Sequence, residues 1–153
     1  MDARKQLIII KGRDQTDTVA SFWFHDEKCD LMYSLIQKIL SEENFAAIGC
    51  AVHVSLATLI RDYTLLTEEE CRYARNPLTH VDFLLFRQMD KQPLLAIEVD
   101  GTAFHEPGSK QAERDVKKNS VLKKCGVPLL RLRTDGSGER EKIETALQAS
   151  LRT

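Results

Sequence analysis

The sequence predicts an α/β domain in which a mixed central sheet is flanked by helices, and three stretches carry that expectation. Leu31, Met32, Leu35, Ile36, Ile39 and Leu40 recur at helical spacing and make one broad apolar face. Residues 80–86 and 94–100 are apolar runs separated by Arg87-Gln88-Met89-Asp90-Lys91-Gln92, a polar loop of hairpin length. A helical stretch over 109–125 then leads to a short strand at 127–133, and a strand–helix–strand crossover of this kind joins parallel strands.

The totals agree with one domain. A chain of 153 residues that is 42% hydrophobic and 29% charged can bury a core without staples. A net charge of −1 argues against a strongly basic nucleic-acid wrapper. It leaves room for an enzyme acting on phosphodiesters, because metal ions and a local basic patch offset phosphate charge. Cys29, Cys50, Cys71 and Cys125 are far apart, with no C-x-x-C and no His at zinc spacing, so free thiols and a cytoplasmic location are expected. No signal peptide opens the chain and no apolar run reaches membrane length.

Taken in order, residues 1–24 read as an N-terminal extension: a β-hairpin (strands at 6–10 and 19–24, turn at 12–17) or a domain-boundary segment. The abrupt start suits a domain excised from a longer protein. The domain proper is expected over 25–153. His25 or Asp26 can cap the first helix, which ends at 41–44. A strand is expected at 45–56, a short helical turn at 59–63, and a helical loop at 67–76 that Asn76-Pro77 breaks. On the helix over 109–125, Ala112, Val116, Val121, Leu122 and Cys125 make the expected buried side, and Gly126 is a plausible stop. Pro128 suits the first residues of the strand that follows. A last amphipathic helix covers 139–151 over Ile143, Ala146, Leu147 and Leu151.

Three carboxylates interrupt this apolar framework. Asp82 shares a strand face with Leu84 and Phe86; Glu98 and Asp100 share one with Leu94 and Ala96. If the two faces coincide, three acids converge at one end of the sheet. Buried like charges repel, and a divalent cation is the simplest remedy. Hard cations such as Mg²⁺ take carboxylate ligands, and phosphodiester hydrolysis needs what such a cation supplies: charge neutralisation and an activated water. The 16 residues between Asp82 and Glu98 suit a hairpin with its turn.

Asp82, Glu98-Val99-Asp100-Gly101, His105, Arg114-Asp115, Lys118-Asn119 and Leu129-Leu130-Arg131 resemble, in order and in context, the PD-(D/E)XK or restriction-endonuclease-like nuclease superfamily. The E-x-D-G-x-x-x-H centre is most similar to the branch of very-short-patch-repair endonucleases, and to uncharacterised domains of that branch fused to superfamily I DNA helicases. The likeness covers about 80–133 well and the helix at 26–40 loosely.

The resemblance implies a restriction-endonuclease-like core (α-β-β-β-α-β) that hydrolyses DNA with Mg²⁺ or Mn²⁺ as a module of a repair or helicase-associated protein. Its partners would be DNA and a helicase or other domain of a longer parent. Asp82 and Glu98 would be metal ligands, with the Val99 carbonyl as a further ligand, and Asp100 would bind the metal as a third acid or hold a partner beside it. The family most often has lysine where this chain has Asp100, so the missing ammonium is expected from the following helix, from Lys118 first and Lys117 second. Asp82, Glu98, Asp100, His105 and Lys118 then form the expected catalytic set, with His105 as acid/base or phosphate contact. Arg114, Lys117, Arg131 and Arg133 would contact DNA. The family's first helix often carries a Glu near the site, for which Glu27 and its neighbour Lys28 are the candidates here.

Plainer readings stand beside these. Asp82 can pair with Arg131 or Arg133 across the sheet, His105 can be an ordinary loop histidine, and Lys117 and Lys118 can be solvated. For the whole chain, the competing classes are a catalytically inactive nuclease fold that binds DNA or a protein partner, and an unrelated α/β domain with a structural or different metal site.

Overall fold

The computed structural model describes residues 6–11, 17–22, 27–100, 109–133 and 136–152. Two strands, β1 (Gln6–Lys11) and β2 (Asp17–Phe22), pair antiparallel with Gln6 opposite Phe22 and Lys11 opposite Asp17. The turn expected at 12–17 and the capping residues His25 and Asp26 lie outside the described residues, apart from Asp17.

After helix α1 (Glu27–Leu40) come β3 (Ile48–Ser55), a helical turn α2 (Leu56–Leu59), α3 (Glu68–Arg75), the hairpin β4 (His80–Arg87) and β5 (Pro93–Asp100), α4 (Lys110–Lys124), β6 (Leu129–Arg133) and α5 (Glu139–Leu151). The sheet order is β3-β4-β5-β6. Its first three strands run antiparallel, and β6 lies parallel to β5. This is a four-stranded mixed sheet with helices on both faces, as the strand and helix patterns predict. Among the described residues, no helix is long and apolar enough to cross a membrane.

Period-2 alternation divides the core. One face holds Phe83, Leu85, Leu95, Ile97 and Leu132, covered by Ile36 and Ile39 of α1 and by Ile143 and Leu147 of α5. The other holds Leu84 and Ala96, covered by Val121 and Leu122 of α4 and by Leu56 and Leu59 of α2. Phe83 is fully buried at its centre, so its truncation to alanine would cost about 3–5 kcal/mol.

Several expectations fail locally. The helical turn expected at 59–63 forms at 56–59, and Leu151, in the last turn of α5, is 41% exposed. Leu94 was expected on the acids' face, but the ladder slips between Leu85 and Phe86, where Phe86 pairs with Pro93. This bulge leaves Leu94 as the extra residue and turns it into the α1/α5 core. On α1, Leu31 is 72% exposed, because the buried stripe narrows to Met32, Ile36, Ile39 and Leu40. Val116 of α4 is 67% exposed, because the inward side of that helix near the acids is polar.

The stretch expected as a helical loop at 67–76 is the regular helix α3. The Thr67 hydroxyl accepts from the Glu70 N–H at 3.2 Å, and the Glu70 carboxylate accepts from the Thr67 N–H at 2.8 Å, a reciprocal capping box. Glu70 goes further than capping. Its two oxygens also accept from Ser120 Oγ at 2.6 Å and Lys124 Nζ at 2.7 Å, which ties α3 to α4. Ser109 caps α4 through the Ala112 N–H, and Gly126 ends it at φ 71, a conformation that favours glycine. Helix α4 is therefore held at its start, along its length and at its end. That rigidity positions the residues it presents to the sheet.

Candidate functional site

The acids meet on the sheet face that carries α4. One step beyond the Phe83–Ile97 pair, Asp82 lies across from Glu98, and the parallel ladder sets Glu98 beside Arg131. On β3, His53 falls between the Val52–Phe83 and Val54–Val81 pairs, level with Asp82. A row across all four strands results: His53, Asp82, Glu98, Arg131.

Each member of this row has a defined engagement. Asp82 Oδ2 accepts from the Val99 N–H at 2.8 Å, and Oδ1 stands 4.0 Å from His80 Nε2. Glu98 is 7% exposed, and its Oε2 accepts from Lys118 Nζ at 2.9 Å. Lys118 also donates to the His80 carbonyl oxygen at 2.8 Å. Glu98 Oε1 is buried and has no hydrogen-bond partner among the described residues. Burial pushes the Glu98 carboxyl above the usual carboxylate range; the attraction of Lys118 opposes this, and the nearby charge of Asp82 adds to it.

The ammonium expected from α4 is therefore at the acids, and it belongs to Lys118. Lys117, one residue earlier, turns away and pairs with Glu69 Oε1 at 2.6 Å. The helical period explains the split. Asp115, Lys118, Asn119 and Leu122 face the sheet, whereas Lys117, Ser120 and Lys124 face α3.

Asp100 is engaged by Arg131. Its Oδ1 accepts from Arg131 Nη1 at 2.9 Å, while Arg131 Nη2 reaches Asn119 Oδ1 at 3.1 Å and Asp115 Oδ1 at 3.4 Å. The guanidinium thus pairs with Asp100 and not with Asp82. Arg114 and Arg133 are exposed, as is Lys28. His105 and the side chain of Glu27 lie outside the described residues.

The sequence reading overlooked two residues. Among the described residues, one group of three ligand-type side chains has donor atoms all within 4.8 Å of one another: His53, His80 and Asp82. The two imidazoles meet edge to face, 4.9 Å between centroids. Burial lowers the pKa of His53, His80 lowers it further, and Asp82 opposes them. The His80-x-Asp82 spacing was a visible signal, since i and i+2 share a strand face. The approach of His53 depends on the β3–β4 register, which the sequence alone does not set.

A protein-family model described as Protein of unknown function (DUF2726) matches residues 25–151. No curated protein and no solved structure matches the chain.

Proposed function

We propose that this chain, which belongs to the DUF2726 family, is a restriction-endonuclease-like domain that hydrolyses DNA phosphodiester bonds with Mg²⁺ or Mn²⁺. One observation carries the reading: two acids on adjacent strands and an ammonium from the next helix, 16 and 20 residues apart in sequence, converge on one sheet face. The order helix, three antiparallel strands, helix, parallel strand supports it, because that is the core expected of the PD-(D/E)XK superfamily.

The residues fit a cation. Glu98 Oε1 is a buried carboxylate oxygen without a donor among the described residues, and a cation would complete it. Asp82 and Glu98 would hold the ion, and when bound it would neutralise phosphoryl charge and ease deprotonation of water. The chain's own groups act around it. The Val99 N–H orients the Asp82 carboxylate. Two of the three N–H donors of Lys118 go to Glu98 and His80, and the third remains to be directed at a phosphoryl oxygen or the attacking water. Lys118 thus fills the role that the family most often gives to a lysine at position 100. Asp100 holds Arg131 beside it.

The test is incubation of single-stranded, nicked and flapped DNA with Mg²⁺ or Mn²⁺, beside Glu98→Ala. Metal-dependent cleavage that disappears in the variant is the expected result. Cleavage that persists would belong to a contaminant, and no cleavage by the unaltered chain on any of these substrates would favour an inactive, DNA- or protein-binding role.

A further inference from the structure

We infer that His53, His80 and Asp82 form a binding site for a first-row transition ion of the zinc and cobalt class. The inference does not rest on the nuclease reading, although Asp82 is common to both. Imidazole nitrogens suit transition ions, whereas Mg²⁺ takes oxygen ligands, so two histidines and one carboxylate select a different class of ion from that of an all-oxygen centre.

Four features of the cluster point the same way. The donor atoms of the three side chains lie within 4.8 Å of one another, close enough for small side-chain rotations to bring them onto one ion. His80 Nδ1 is 3.0 Å from the Leu78 carbonyl oxygen. A carbonyl only accepts, so this nitrogen carries a proton, and in the neutral ring Nε2 is the nitrogen that presents a lone pair, the usual arrangement behind a metal-ligating histidine. Nε2 is the nitrogen nearest Asp82. The Asp82 carboxylate is itself held by the Val99 N–H through its other oxygen, Oδ2, which leaves Oδ1 as the ligand atom.

The fourth feature is backbone strain. His53 lies within an eight-residue strand yet has φ 48, a left-handed conformation that is unfavourable for a residue with a side chain. The departure from strand geometry coincides with the meeting of its ring and that of His80. The cluster is also open, with the His80 side chain 41% exposed. Three protein ligands and a route from solvent leave a position for water or a substrate atom, as in catalytic rather than structural zinc sites.

The test uses the whole chain after chelator treatment, titrated with Co²⁺ and followed by its visible d–d absorption, with Zn²⁺ and Mg²⁺ as competitors. A single saturable Co²⁺ is expected, displaced by Zn²⁺ and not by millimolar Mg²⁺. His53→Asn tolerates the positive φ, and with His80→Gln it removes the nitrogens; each should weaken Co²⁺ binding by about tenfold or more. On the unaltered chain, Zn²⁺ should shift the ring ¹⁵N resonances of His53 and His80, a readout that needs no variant to fold. Glu98→Ala should retain Co²⁺ binding even as it removes cleavage, so failure of the nuclease reading would leave this result standing. Absence of Co²⁺ binding by the folded chain would overturn the inference. So would ring ¹⁵N resonances that Zn²⁺ leaves unmoved.

Discussion

Lys118 Nζ stands 2.9 Å from Glu98 Oε2, and the two side chains are only 14% and 9% exposed. Each partner also has a second demand. Lys118 donates to the His80 carbonyl, which ties α4 to the start of β4, and among the described residues Glu98 keeps one oxygen without a donor. The pair therefore couples the fold to the proposed chemistry, and removal of one partner isolates a buried charge.

Lys118→Met should destabilise the chain by about 3–5 kcal/mol near pH 7, the usual effect of leaving a buried charge unpaired. The pH dependence follows from Glu98. Its folded pKa already lies above the unfolded value, so its contribution to stability is full below the unfolded pKa and is lost as pH rises through the folded one. Without Lys118 the folded pKa rises further, and the deficit should shrink on acidification as Glu98 becomes neutral. Urea unfolding at pH 7 and pH 5 measures it. An equal deficit at both would mean that Glu98 does not govern the loss.

Asp100 and Glu98 should separate in activity. If Asp100 serves to hold Arg131, Asp100→Asn keeps metal-dependent cleavage within about tenfold and lowers stability by about 1 kcal/mol or less, as for a partly exposed ion pair. Asp82→Asn and Glu98→Gln should each lower cleavage by a factor of about 100 or more. Initial rates over a range of Mn²⁺ concentrations distinguish the two cases. A loss in Asp100→Asn as deep as in Asp82→Asn would restore Asp100 to the metal-binding acids.

Glu70 makes an acid-side prediction away from the site. The hydrogen bonds from Lys124, Ser120 and the Thr67 N–H hold its carboxyl down to about 2. A lowered folded pKa gives stability that is present above the unfolded value and lost as pH falls through the folded one, on the order of 3 kcal/mol for a shift of this size. Chemical unfolding of Glu70→Gln should therefore show a flatter stability profile between pH 5 and pH 2 than the unaltered chain does. Parallel profiles would place the acid sensitivity elsewhere.

The strands at 80–87 and 93–100 and the helices around them were legible because period and turn chemistry are local properties. So was the presence of Asp82 and Glu98 on one face, which needs only alternation and a hairpin. Leu94 was misplaced because a bulge shifts alternation by one residue and carries no clear signature in that run. Lys118 was distinguishable from Lys117 only by which side of α4 meets the sheet. The partner of Asp100 depended on the parallel register of β6, and the approach of His53 on an unusual φ within β3. Long-range register decides which polar side chains meet, and no short window of sequence contains it.

Affinity for DNA should be low for the isolated chain, and its salt dependence should report which cations are engaged. Lys117 is paired with Glu69, and Arg131 with Asp100 and Asp115, so their charges are largely offset, while Arg114 is exposed. Each neutralised phosphate on a duplex contributes a slope of about −0.9 in a plot of log K against log salt. A contact from Arg114 alone predicts a slope of about −0.9. Glu69→Gln releases Lys117 and should strengthen binding while steepening the slope by about 0.9. Fluorescence anisotropy with a labelled duplex over a salt series measures both quantities. If Glu69→Gln changes neither, Lys117 lies away from the path of the DNA, and the α3-facing side of α4 plays no part in recognising it.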